Sequence, residues 1–168
     1  MPLTRRTFVK SAAAMAVCAT RPLLASIPAH AREPLQELPY SAVQITGGPL
    51  AQQYNEVHAH YLSLSNDRLL KVYRQRAGLP APGLDMGGWY DLNGFVPGHS
   101  LGQYISGLAR IGASTDDPAC HNKVQTLVSS FAETLGPQGQ SILRPETNLW
   151  TCYILDKHFI GLIDAATL

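Results

Sequence analysis

The sequence predicts an all-α fold built from antiparallel helix pairs, and three observations carry the prediction. Apolar residues recur at helical spacing in five separate segments. Start and stop signals bracket several of those segments. Only one short stretch, Ser41–Thr46, reads as a strand, and a lone strand cannot make a sheet.

Residues 32–48 read as an irregular segment, with "SAVQIT" as a short edge strand ended by Gly47-Gly48-Pro49. A helical domain over residues 49–168 follows. Its first helix is "LAQQYNEVHAHYLSL", where Leu50, Tyr54, Val57, Tyr61 and Leu64 form the i, i+4, i+7 stripe of a core-facing element. The second, "NDRLLKVYRQRAG", takes Asn66 or Asp67 as cap, Leu69, Leu70 and Tyr73 as apolar face, and Gly78 as stop. A loop from Leu79 to Pro97 is rich in Gly and Pro yet holds Trp89, Tyr90 and Phe95. Loops longer than about 12–15 residues are usually functional or disordered, and the aromatics argue against disorder.

The third helix opens at His99 or Ser100 and runs to about Ala113. Leu101, Ile105, Leu108 and Gly112 share one face, beside a ridge of small residues, Gly98, Gly102, Ser106, Ala109 and Ala113. Glycine inside a helix costs roughly 0.5–1 kcal/mol relative to Ala, so close packing or a ligand should compensate. The fourth helix is the best punctuated. Asp117 caps it, Pro118 occupies its first position, Val124, Leu127, Val128, Phe131 and Leu135 form its stripe, and Gly136-Pro137 ends it. A second long loop, Gly136 to Leu149, leads to Trp150. The fifth helix carries Leu155, Phe159, Leu162, Ile163 and Ala166 and reaches Leu168 without a cap.

The charge balance separates the N-terminus from the rest. Four of the 13 basic residues (Arg5, Arg6, Lys10 and Arg21) lie in residues 1–31, which contain no acid. The remaining chain therefore has nine basic against twelve acidic residues, which is no footprint for nucleic acid or an anionic membrane. No apolar run approaches the roughly 20 residues of a membrane span. Residues 1–31 read as an export signal. Arg5 and Arg6 precede Phe8 and Lys10, a weakly apolar Ala-rich stretch follows, and Ala29-x-Ala31 fits a signal-peptidase site. This resembles a twin-arginine signal and implies a periplasmic or extracellular protein. Cys120 and Cys152 would remain after cleavage, and two buried free thiols are expected.

Metal and nucleophile motifs are absent from the linear pattern. His58 and His60 lie two apart on a helix and point roughly 200° apart, so they cannot chelate one ion together. Cys120, His121 and His158 have no partners at ligand spacing, and no H-E-x-x-H or G-x-G-x-x-G pattern occurs. Gly98-His99-Ser100-Leu101-Gly102 follows a loop rather than a strand and does not read as a nucleophile elbow. No resident metal or other cofactor is expected from this chain. His99 stands apart. It follows a Pro-Gly break at a helix start, where the helix dipole disfavours an imidazolium, so a neutral ring can both donate and accept. Such a group beside aromatics suits a sugar, whose apolar face stacks while its hydroxyls need paired donors and acceptors. A capping histidine without a ligand is the simpler alternative.

"WYDLNGFVPGHSLGQYISGLA", followed some forty residues later by "LWTCYILDKHFIGLIDA", resembles the N-terminal catalytic region of glycoside hydrolase family 127, the β-L-arabinofuranosidase-like enzymes. Trp89, Gly98, His99, Leu101, Gly102, Tyr104 and Ser106 fit the first block. Leu149, Trp150, Tyr153, Leu155, Lys157, Gly161, Leu162, Asp164 and Ala165 fit the second, and "LLKVYRQRAGLPAPG" is also similar. The resemblance implies part of an (α/α)6 toroid and hydrolysis of arabinofuranosides in plant-type glycans. It also implies a carbohydrate site at His99, Trp89, Trp150, Tyr153 and Asp156, the last standing where the family has a histidine. The family's nucleophilic cysteine, acid/base carboxylate and zinc-binding Glu/Cys cluster lie downstream of the matched blocks. The toroid is therefore expected to be incomplete, inactive by itself, and able to self-associate through its open helical edge. A non-catalytic carbohydrate-binding or helical interaction module, or a gene fragment, is the alternative.

Overall fold

The computed structural model describes residues 35–136 and 149–168. The expected export signal (Arg5, Arg6, Ala29, Ala31) and most of the second long loop lie outside them. The compact unit is Leu38–Leu168. Its described residues form helices and no strand, with α1 (Gly48–Ser63), α2 (Asn66–Arg76), α3 (Leu101–Thr115), α4 (Pro118–Glu133) and α5 (Leu149–Thr167). The five helices are those the periodicity predicts, as a partial toroid requires. The edge strand is not formed: Tyr40–Ala42 makes a single 3-10 turn and residues 43–46 have no regular structure. A strand needs a neighbour to receive its backbone groups, and the described residues offer none.

Cap chemistry explains the helix ends. Asp117 caps α4, its Oδ1 accepting from the Ala119 amide at 2.8 Å, with Pro118 in the first turn. For α2 the cap is Ser65 rather than Asn66 or Asp67, with a long 3.5 Å bond from the Arg68 amide. Helix α3 runs two residues beyond Ala113 and closes on Asp116, whose φ of 55° is the left-handed closure that Asp tolerates.

Contacts define the directions. Tyr61 stacks on Tyr104 at 5.0 Å while Tyr54 bonds Ser114 at 2.5 Å, so α1 runs antiparallel to α3. The two-residue link Asp116-Asp117 turns α4 back along α3. Helices α1 and α2 do not fold back on each other. Leu64 and Ser65 are both extended, which advances the chain instead of reversing it, and Lys123 Nζ pins the joint by bonding Leu64 O and Asn66 Oδ1. Together they fill one helical position beside α4. Helix α5 runs parallel to α3, since Gly102 faces Lys157, His158 and Gly161 while Ser106 and Arg110 both reach Asp164.

The core lies around α3. Tyr73, Phe131, Leu70, Leu101, Ile105, Leu108 and Leu127 are essentially fully buried. The small ridge has the packing role expected of it. A Cβ on Gly102 or Gly161 would fall inside 3.0 Å of the other helix's backbone, so this crossing is backbone against backbone. That choice rotates α5 away from its most apolar stripe. Thr151, Ile154, His158 and Gly161 face inward and Leu162 and Ala165 pack on the core, whereas Phe159 and Ile163 are about 60% exposed. Cys120 is buried, but Cys152 is exposed, contrary to the expectation of two buried thiols. No helix among the described residues is long and apolar enough to cross a membrane.

Candidate functional site

The loop before α3 is held from below by two tyrosine anchors. Tyr90 Oη donates to Leu69 O at 2.6 Å, fixing the loop to α2. The Tyr73 hydroxyl, on α2, lies within hydrogen-bonding reach of both Gly98 O and His158 Nε2, the latter at 2.8 Å. Gly98 has a φ of 75°, and a Cβ there would strike the Tyr73 ring, so only glycine permits this approach. The loop closes on itself through Val96 N to Trp89 O at 3.2 Å and Gly98 N to Tyr90 O at 2.9 Å. Residues 79–87 are tied to α2 as well, by Arg68 Nη2 to Asp85 O and Lys71 Nζ to Gly83 O, both 2.9 Å.

His158 is a core residue. Both of its ring nitrogens are engaged, Nδ1 with Ile154 O at 2.7 Å and Nε2 with the Tyr73 hydroxyl at 2.8 Å. Burial pushes its pKa below the usual imidazole range, and the same desolvation holds the Tyr73 phenol well above its ordinary value.

On this support stands a row of aromatics, exposed at Trp89, Phe95 and Tyr153 and half-buried at Trp150. Trp89 packs on Phe95 (5.5 Å between ring centroids), Phe95 on Trp150 (4.9 Å), and Trp150 on Tyr153 (6.0 Å). Lys157 Nζ sits 4.9 Å from the Tyr153 ring centre and 2.8 Å from Asp156. Four of the five expected residues, Trp89, Trp150, Tyr153 and Asp156, thus join one continuous surface. His99 lies behind it, 6.1 Å from the Tyr90 ring, half-buried, with Nδ1 2.8 Å from Val96 O. That bond makes Nδ1 the donor and leaves Nε2 with its lone pair in the neutral ring. Ser100, not His99, takes the N-cap position of α3, and its side chain makes no capping bond.

Phe95 joins this row, although the sequence reading did not name it among the site residues. It bridges the loop to α5, and only its closeness to Trp150, 55 residues away, reveals that. At the C-terminal end of α3, a cleft of about 670 Å³ is lined by Tyr40, Val43, Ile45, Tyr54, Arg110 and Ser114 among others. None of the expected sugar-contacting residues borders it, so volume and chemistry point to different places; the loop surface carries the donors and stacking faces a sugar needs.

A Glu/Cys zinc cluster of the kind the resemblance implies does not fit these residues. Cys120 lies at the start of α4 and Cys152 in the first turn of α5, one buried and one exposed. A family model described as the β-L-arabinofuranosidase, GH127 catalytic domain matches residues 42–141. The match includes Trp89, Phe95 and His99 and stops short of α5. No curated protein and no solved structure matches the chain.

Proposed function

The chain belongs to the β-L-arabinofuranosidase GH127 catalytic-domain family, and on that premise we propose that it is the N-terminal portion of an exported glycosidase acting on arabinofuranosides of plant-type glycans. The observation that carries the reading is the pinned aromatic row Trp89–Phe95–Trp150–Tyr153 with His99 beside it. The rings offer stacking faces, while His99 Nε2 and the Asp156 carboxylate offer polar partners for ring hydroxyls. The nucleophile and acid/base of the family have no counterpart among these 168 residues. The task of this portion is therefore to bind and orient the sugar. Arg5, Arg6 and the Ala29-x-Ala31 site support twin-arginine export to the periplasm or beyond. Lysine in place of both arginines should hold the precursor in the cytoplasm, and unchanged export would refute that route.

Trp89 and Trp150 are the only tryptophans in the chain, so intrinsic fluorescence reports on this surface directly. A methyl β-L-arabinofuranoside or a β-linked L-arabinofuranose oligomer should shift the emission, and His99→Ala should abolish the shift while changing the melting temperature little. Silence at millimolar ligand sinks the proposal. The carboxylate of Asp156 is already paired with Lys157, which favours a second reading, a glycan-binding module without hydrolysis. An equal response to pyranosyl glycans would select it.

A further inference from the structure

At the opposite end of α3 from the aromatic row, the fold assembles three metal-ligating atoms from two helices. We propose that His58, Asp117 and Cys120 form a structural binding site for a zinc-class divalent cation. His58 Nε2 lies 2.9 Å from Asp117 Oδ2 and 3.2 Å from Cys120 Sγ, and that sulfur lies 3.9 Å from the same carboxylate oxygen. Among the described residues these three meet the geometry of a shared ion, with all ligand atoms within 4.8 Å of one another. Tetrahedral zinc with nitrogen and oxygen at about 2.0 Å and sulfur at about 2.3 Å would separate its ligands by about 3.3–3.6 Å, so shifts of a few tenths of an ångström suffice.

The scaffold is built to hold them. Asp117 Oδ1 is committed to capping α4 through the Ala119 amide, which orients Oδ2 toward His58. Cys120 has no solvent exposure and its Cβ packs against Gly112 of α3. The His58 and Asp117 side chains keep 19% and 26% of their surface, which leaves room for water at a fourth position. A carboxylate and a thiolate at the positive start of α4 are favourably placed, and together they neutralise a divalent ion. Thiolate plus imidazole excludes the oxygen-preferring magnesium and calcium and selects a borderline cation.

A Cys–His–Asp nucleophile is the other chemistry these residues suggest, and the geometry excludes it. Thiol and carboxylate approach the same ring nitrogen, so Asp117 cannot orient the far side of the ring as a relay requires. Burial and the neighbouring carboxylate also push the thiol up to about 11, the reverse of an activated cysteine. A metal changes that balance: Sγ–H breaks, the proton leaves to solvent, and the sulfur electron pair forms the metal bond, with His58 bound through Nε2 and its proton on Nδ1.

Substituting Cys18→Ser and Cys152→Ser leaves Cys120 as the one thiol of the full chain. Cobalt(II) added to this protein should give a sulfur-to-cobalt charge-transfer band with a 1:1 end point, displaced by zinc. His58→Gln or Cys120→Ser should weaken zinc binding at least tenfold. No charge-transfer band, or an unchanged affinity in both variants, overturns the site. Should those variants fail to fold, the melting temperature of the parent chain decides: it should rise with zinc and not with magnesium, and indifference to zinc refutes the proposal.

Discussion

His158 and Tyr73 show how much one buried polar pair can decide at the scale of a residue. The pair joins α2, the loop and α5 at a single hydroxyl, where removing one partner strands the other in a dry core. Tyr73→Phe should therefore cost about 1–3 kcal/mol, the penalty of unsatisfied buried groups, and should loosen Gly98 and His99 with it. Because burial lowers the His158 pKa, the unfolded chain takes up a proton first as pH falls. The stability tied to a neutral His158 is full above the unfolded value of about 6.5 and is lost as pH drops toward the folded value. Melting temperature should decline over that interval, and His158→Gln, which cannot titrate, should flatten the decline. Equal slopes in both proteins would show that other groups carry it. Asp164 acts lower on the scale: burial opposes its ionisation, but hydrogen bonds from Arg110 and Ser106 win and hold its carboxyl below the usual range. Its contribution is present above about pH 4 and fades as pH falls further.

Between elements, the parallel crossing of α3 and α5 is the contact on which the site depends. Gly102 and Gly161 bring two backbones together, and this sets where Trp150 and Tyr153 stand relative to Phe95. Gly102→Ala would push a methyl into the Lys157 carbonyl, which neither helix can yield without separating. Overpacking of this kind costs about 1–3 kcal/mol, and backbone contact on both sides places it at the upper end. Chemical denaturation should read that loss, and the fluorescence of Trp150 should change in the folded variant as its contact with Phe95 opens. Gly107→Ala is the control: the nearest obstacle there is the edge of the Tyr61 ring, a side chain that can move. Comparable losses from the two substitutions would show that the α3–α5 crossing has no special standing.

At the scale of the whole molecule, α5 presents one of the patches of unburied apolar surface among the described residues. Phe159 and Ile163 are about 60% exposed and Ile160 is 38% exposed, three large side chains on one helix. Fully burying such a side chain is worth about 1.5–3 kcal/mol, so a second copy offering the same face has a sizeable incentive to pair. Sedimentation at increasing concentration should show species heavier than the 18.2 kDa monomer. Phe159→Ser with Ile163→Ser should return the chain to a monomer without unfolding it, because neither side chain belongs to the core. A monomer at every concentration would remove self-association from the account.

What could be read from the residues alone was whatever local chemistry governs. The five helices follow from 3.6-residue periodicity, the start of α4 from Asp117 and Pro118, and the tight packing of α3 from its row of small residues. His99 and Trp89 stood out as candidates because aromatics in a long Gly/Pro loop are unusual, whereas Trp150, Tyr153 and Asp156 entered only through the family resemblance. Three things awaited the tertiary structure. Periodicity ranks faces by apolarity, but backbone contact between Gly102 and Gly161 selected the small-residue face of α5 and left Phe159 and Ile163 outside. The junction of α1 and α2 has the length of a reversal, and only the extended dihedrals of Leu64 and Ser65 send the chain onward. His58 stands about sixty residues from Asp117 and Cys120, a separation at which no ligand spacing exists to be recognised. Helix formation is a local equilibrium written residue by residue, whereas the meeting of distant side chains is decided by how the helices pack.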